Sequence, residues 1–333
     1  MKAFDLIYYC DGFPEIGMGH VFRGINIVNA YIKKHPDAQL AIQGKYHPQS
    51  INFIREQLND GIEILSPDQE KKSIISIIDT MFYPGEFRIN NEFFTEVKKK
   101  CTTLIFLWDV IEYNVPKEVD IVINHLPYAK VFGDSEFKKY VGLKFAPIPS
   151  VFYESHEYKL NNGCLLSILG ATTKPNSILP LLKYIEALDT ELEKIVIVSP
   201  SFDEVIFLEL IKDFKEIEFK KNVPLLSDFI KNASVIITTY GSTTFQAMAS
   251  KIPTFTIAFQ DFQNVYGAKL EGAGFCVNLG LFNSINKDKL PLLLDVEFKS
   301  EMHKKLKKVF KTPGMDKITN IISEELQILK NKI

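Results

Sequence analysis

The chain has 333 residues, of which 46% are hydrophobic and 24% charged, and its formal net charge is −2. That length suggests about two domains and that composition can bury a substantial core. The near-balanced charge gives no reason to expect nucleic acid as a partner.

The first strand is FDLIYYC (4–10). Asp5 and Asp11 interrupt its apolar character, so the N-terminus reads as a strand rather than a signal peptide, and a cytoplasmic location is expected. The four cysteines are scattered among apolar neighbours without a C-x-x-C, as in a reduced protein. No histidine pair has zinc-ligand spacing, so no metal site or cofactor is expected. No run reaches the length of a membrane-spanning helix.

After the first strand comes EIGMGHVFRGINIV (15–28). Gly17 and Gly19 fall where the strand hands over to a helix that His20 begins. Free N–H groups at a helix N-terminus bind anions, and a histidine there can accept a proton. Arg23, one helical turn further, could bind a phosphate or carboxylate. A glycine turn with a locally bonded histidine and a surface ion pair fits these residues equally well.

The spacing predicts a helix over 20–34, a strand at 38–44, a helix over 49–60, and strands at 62–65, 74–79, 103–109 and 120–125. Near-continuous apolar strands separated by helices indicate a parallel sheet covered on both faces. Asp79 and Asp109 each end an apolar strand, where a carboxylate either faces the ligand crevice or caps the next turn. LKFAPIPSVFY (143–153) holds two prolines and no periodicity. It reads as a linker and divides the chain into domains at 1–147 and 148–333.

The alternation then restarts, and the end from about Lys287 reads as helical. Gly170, Ala171 and Thr172 follow the strand CLLSIL. In TTYGSTTFQAMASKIPT (238–254) a strand ends at Tyr240 and Gly241, and Ser242, Thr243 and Thr244 open a helix. That helix start suits a diphosphate, with Gln246 one turn in and able to reach a ribose. Ordinary Ser/Thr capping accounts for the same residues. Gln260, Asp261, Gln263 and Asn264 cluster between a strand and a helix, as sugar-binding groups or as a solvated loop. KSEMHKKLKKVFK (299–311) is a basic helix, either solvated or in weak contact with an anionic membrane surface. The pattern as a whole predicts two doubly wound α/β domains in tandem, with ligands at the carboxyl ends of the strands and in the cleft that the domains face.

GMGHVFR (17–23) resembles the G-x-G-H-x-x-R loop of the UDP-sugar hydrolases of the pseudaminic acid pathway, and that of the related predicted glycosyltransferases of spore-coat polysaccharide synthesis. YGSTTFQAMASKIPTFTIAFQDFQN (240–264) resembles their second signature, and more distantly that of the peptidoglycan-forming N-acetylglucosaminyltransferase. The likeness runs over roughly residues 4–280. It implies a GT-B fold of two Rossmann-like domains with a helical C-terminus, which cleaves the sugar–diphosphate bond of a nucleotide-sugar without a bound metal. His20 would be the general base, with Arg23 and Asp79 beside it. Gly17, Gly19, Gly170, Ala171, Thr172, Gly241, Ser242, Thr243, Thr244, Gln246, Gln263 and Asn264 would hold the donor, expected to be UDP-linked. The chain departs from the family at Gln246 (usually Glu), Phe262 (usually Asn), Ala171 (usually Gly) and the Asp79-Thr80-Met81 stretch, where a tyrosine is lost. The resulting expectation is an inverting glycosyltransferase of surface or flagellar glycan synthesis that acts on a sugar or glycan acceptor. The alternatives are a hydrolase with water as acceptor and a non-catalytic nucleotide-sugar-binding protein.

Overall fold

The computed structural model describes residues 3–12, 18–79, 91–170, 175–199, 202–221, 223 and 225–331. They form two compact units, Met1–Pro149 with Thr312–Ile333, and Ser150–Lys311.

In chain order the first unit contains β1 (Phe4–Tyr9), α1 (Gly19–Lys34), β2 (Leu40–Gln43), α2 (Pro48–Gln57), β3 (Ile62–Leu65), β4 (Ser73–Ile78), α3 (Asn91–Lys98) and β5 (Cys101–Trp108). It continues with β6 (Glu112–Asn114), β7 (Ile121–Asn124), β8 (Lys130–Phe132) and β9 (Lys138–Val141). Seven strands make a parallel sheet in the order β3-β2-β1-β4-β5-β7-β9, and β6 pairs with β8 in a small separate ladder. The apolar runs of β1, β4 and β5 are buried on both faces because helices cover both. Leu6, Tyr8 and Cys10 pack with Val21, Ile25 and Val28 of α1. Ile7 and Tyr9, one residue out of phase, join Phe94 and Val97 of α3 on the other face. The strand order turns around between β1 and β4, and that reversal opens a crevice at their carboxyl ends.

The second unit repeats the scheme with β10 (Cys164–Leu169), α4 (Leu179–Glu186), β11 (Glu193–Val198), α5 (Glu204–Asp213), β12 (Glu218–Lys221), α6 (Leu226–Lys231), β13 (Ala233–Thr239) and α7 (Ser242–Ala249). These are followed by β14 (Thr254–Ala258), α8 (Asp261–Gly272), β15 (Val277–Leu281), β16 (Ser284–Ile285) and α9 (Val296–Val309). The sheet order is β12-β11-β10-β13-β14-β15-β16, parallel except for the final β15–β16 pair. Its reversal lies between β10 and β13. The doubly wound α/β architecture predicted by the alternation is present in both units.

The last helix, α10 (Gly314–Lys330), departs from the expected grouping of 148–333 into one domain. Met315, Ile318, Ile321, Ile322 and Leu326 form its apolar stripe and enter the core that α1 and β1 build. Gly314 lies so close to Ala146 that a side chain there would collide with backbone. The first unit is therefore closed by α10, and its boundaries fall at Pro149 and Thr312. Because Ile322 is fully buried in that core, Ile322→Ala is expected to destabilise the first unit by about 2–5 kcal/mol. Denaturant unfolding followed by a probe in that unit measures this, and a loss below about 0.5 kcal/mol, the size of an ordinary surface substitution, would contradict the packing.

Candidate functional site

Asp79 follows β4 directly and has no exposed side-chain surface, at the switch point of the first sheet. A carboxylate buried so completely must be matched by donors, and four reach it. His20 Nδ1 lies 2.7 Å from Oδ1, and Arg23 Nη2 donates to the same oxygen. Oδ2 accepts from Arg23 Nε at 2.7 Å and from the Tyr8 hydroxyl at 2.5 Å. The remaining arm of the guanidinium, Nη1, donates to Asp109 Oδ2 at 3.1 Å. Asp109 follows β5, and its side chain is 38% exposed, so it is the member of this network that faces solvent.

His20 and Arg23 come from successive turns at the start of α1, which places both on the face that meets β1 and β4. Arg23 Nη2 also lies 2.9 Å from His20 Nδ1. A lone pair on Nδ1 would meet the carboxylate oxygen head-on at 2.7 Å. We therefore assign the Nδ1 proton to the Asp79 bond, which leaves Nε2 as the nitrogen able to accept a proton.

Burial alone would raise the Asp79 carboxyl, but the charges of Arg23 and then His20, with their hydrogen bonds, hold it well below the usual carboxylate range. Asp109 is also held down, because the Arg23 charge, followed by His20 and His125, outweighs desolvation. Arg23 loses some basicity to burial, but Asp79 and Asp109 more than restore it, and the guanidinium stays charged. His125, buried just after β7, is driven from 6.5 down to about 4 by desolvation, against the pull of Asp109. Asp79 thus stays ionised and acts as an orienting acceptor, not as a proton donor. Arg23 has its Nε and both terminal nitrogens turned to carboxylates and is committed inside the protein.

In the second unit the β10–β13 switch point brings Gly170 against Thr239. The Gly170 N–H donates to Thr239 Oγ1 at 3.1 Å, and a Cβ at 170 would fall 2.9 Å from that hydroxyl. A side chain at 170 would crowd that hydroxyl and disturb this bond. Thr244 is fully buried. Its hydroxyl accepts from the Gly241 N–H at 3.3 Å and is shared with Thr238 at 2.9 Å, which fastens the strand-to-helix turn internally. Ser242 is exposed, Thr243 and Gln246 are half-buried, and Ser242 heads α7, where helix N–H groups are available to an anion. Gln263 bridges the Phe259 N–H (3.0 Å) and the Tyr240 carbonyl (3.3 Å). Asn264 accepts from Asn278 Nδ2 at 2.7 Å. These two amides shape the loop between β14 and α8.

Of the site residues expected from sequence, His20, Arg23 and Asp79 meet in one network, and Gly170, Gly241, Ser242, Thr243 and Thr244 gather at the second switch point. Gly19 opens α1 at the surface, where a side chain would meet nothing within 4 Å. Gly17, Ala171 and Thr172 lie outside the described residues. Sequence reasoning overlooked Tyr8 and His125. A tyrosine in the buried stretch of β1 was a weak signal for Tyr8, since a buried phenol needs a partner. Along α9, a groove of about 880 Å³ is lined by Lys304, Lys305, Lys307, Lys308 and Lys311 with Phe298 and Met302. Among the described residues no helix is long and apolar enough to cross a membrane.

No protein-family model matches the chain. The uncharacterized protein MJ1062 of Methanocaldococcus jannaschii is 24% identical over 275 residues, which are 76% of this chain and 55% of that protein. The chain therefore spans about half the length of this curated relative. Among solved structures, MurG of Acinetobacter baumannii matches with a TM-score of 0.66 at 10% identity over 96% of this chain and 99% of its own. A glycosyltransferase from Rickettsia africae matches with a TM-score of 0.60 at 13% identity over 98% and 99%. A Listeria monocytogenes protein named as a UDP-N-acetylglucosamine 2-epimerase matches with 0.59 at 10% identity over 99% and 98%. At such identities the likeness establishes the fold, which is GT-B.

The electrostatics of the first switch point fix the sign of an acid effect. Asp79 has its folded value below the unfolded value of about 3.9, so its stabilising contribution is complete above that value and drains away as pH falls below it. Between pH 6.5 and about 4 the unfolded chain also takes up a proton at His125 that the folded chain refuses. Stability should therefore fall on acidification in two stages, read by thermal melts from pH 7 to pH 3. Asp79→Asn should diminish the lower stage, which Asp109 shares, and, by leaving Arg23 partly uncompensated, cost about 3–5 kcal/mol at neutral pH. A variant with the wild-type acid profile would disprove the coupling.

Proposed function

We propose that the chain is an inverting glycosyltransferase that moves a sugar from a nucleotide-sugar donor to a hydroxyl acceptor in surface or flagellar glycan synthesis. The observation that carries this reading is the buried Asp79 carboxylate holding His20 by Nδ1 at the carboxyl end of the first sheet. An imidazole oriented this way has Nε2 left to take the proton of an incoming hydroxyl, and the adjacent anion stabilises the imidazolium that forms. The same pairing of base and orienting carboxylate serves any nucleophile with an O–H bond.

The second unit would supply the leaving-group side. Exposed Ser242, half-buried Thr243 and the amino end of α7 form a site with the chemistry of a diphosphate. Charge that develops on the departing diphosphate would be met by fixed dipoles instead of reorganising water. Gln246, one turn in, would be a neutral partner for a ribose, and UDP is the nucleotide that the sequence likeness favours. The glycosyltransferases among the solved structures of this fold are consistent with transfer. In the first unit Arg23 bridges Asp79 and Asp109, and the proposed reaction runs without a metal cofactor. The lysine-lined groove on α9 fits a weak contact with an anionic surface.

The test is turnover of UDP-, GDP-, CMP- and TDP-linked sugars by the purified protein, with and without EDTA. His20→Ala should lower nucleotide release about 10²–10⁴-fold while nucleotide binding, read as ligand-linked thermal stabilisation, stays at the wild-type level. An unchanged rate in this variant would remove His20 from the mechanism. Fast nucleotide release with free sugar and no acceptor would assign a hydrolase instead, and binding without turnover of any donor would assign a binding protein. EDTA should leave the rate as it is. Ser242→Ala should weaken nucleotide binding with a smaller effect on the rate at saturating donor.

A further inference from the structure

Tyr8 has no exposed surface and sits inside β1, paired with Ile42 of β2 on one side and Ile77 of β4 on the other. Its ring belongs to the core, yet its hydroxyl ends on Asp79 Oδ2 at 2.5 Å. The other oxygen of the same carboxylate receives His20 Nδ1. Arg23 alone is a poor reference for the direction of that carboxylate, because its outer nitrogen is anchored to Asp109, whose side chain is more than a third exposed. The strand-borne phenol is the partner of Asp79 that is fixed on both sides by backbone ladders.

The helix that carries His20 and Arg23 meets this ring at Gly24. A Cβ at position 24 would lie 2.8 Å from Tyr8 Cε1, 2.9 Å from Cδ1 and 3.3 Å from Cys10 Sγ. The ring cannot yield cheaply, being wholly buried in the core. Glycine at 24 is therefore what lets α1 settle onto Tyr8 while His20 and Arg23 reach Asp79.

We infer that Tyr8 is a positioning residue: seated by Gly24, it sets the orientation of the Asp79 carboxylate and, through it, the direction of the His20 imidazole. The kinetic part of this inference rests on the proposed role of His20. The geometric part stands without it.

The experiment has two arms. Histidine-labelled protein is examined by NMR, with His20 assigned from His20→Gln and the Asp79 bond identified by its loss in Asp79→Asn. Wild type should show one slowly exchanging Nδ1–H resonance. Tyr8→Phe, which keeps the ring and removes only the hydroxyl, should broaden or split it, and Gly24→Ala should do the same with the hydroxyl still present. In the kinetic arm both single variants should lose roughly 10- to 100-fold in kcat with KM for the donor unchanged, the scale of an ångström-level misplacement. The double variant should lose no more than the worse single one, since both act on one element.

A wild-type His20 resonance in Tyr8→Phe, full additivity, or an effect on KM alone would overturn the inference. If Tyr8→Phe does not fold, Gly24→Ala carries both readouts. If wild type turns over no donor, the reaction proposal has failed and the NMR arm decides the role of Tyr8 by itself.

Discussion

The first unit depends on keeping one carboxylate ionised where water cannot reach it. Asp79 has no exposed side-chain surface, and a charge in such a place is tolerated only when every oxygen lone pair is met and an opposite charge stands close by. Arg23 supplies the opposite charge, and Tyr8 and His20 complete the set of donors. The geometry of the site follows from that requirement. The helix must begin where its first two turns can face the ends of β1 and β4, and a phenol must replace an aliphatic side chain in the strand. Replacing the pair with apolar groups could leave the fold intact or even firmer, so an ion pair in this position is better explained by what it orients than by stability.

The two switch points share a topology and differ in chemistry. In the first, charges are packed against one another and only Asp109 retains substantial exposure. In the second, the visible groups are hydroxyls, amide N–H groups and a helix end, with Thr244 and Gln263 spent on fastening the loops. The first arrangement suits proton movement, which needs an imidazole of fixed direction. The second suits an anion that brings its own charge. Gly24 in the first unit admits a close approach to a buried ring, whereas Gly170 in the second makes room for one threonine hydroxyl.

The central strands were legible because β1, β4, β5, β10 and β13 are apolar on both faces and thus read as unbroken runs. The edge strands β9 (KKYV) and β12 (EFKK) were not. Each has one neighbour and no deep burial, and the lysines that protect such an edge erase the apolar signal. In the site, His20 and Arg23 could be paired from helical spacing, and Asp79 from its place at a strand end. That all three converge, and that Arg23 is consumed by Asp79 and Asp109 instead of reaching for a phosphate, depends on contacts across 56 and 86 positions of sequence, beyond the reach of any local pattern. Tyr8 was hidden for a related reason: in a strand, a core tyrosine and a functional one have the same neighbours.

The closing helix α10 has a consequence for how the molecule comes into being. Its apolar stripe completes the core around α1 and β1, although more than 160 residues of the second unit are made between them. During synthesis the second unit can finish its own sheet as soon as it has emerged, because all of its strands and helices are contiguous in the chain. The first unit, begun earlier, has to wait with a gap in its hydrophobic layer until the final helix arrives. Of the two units, the one that carries His20 is thus begun first and completed second.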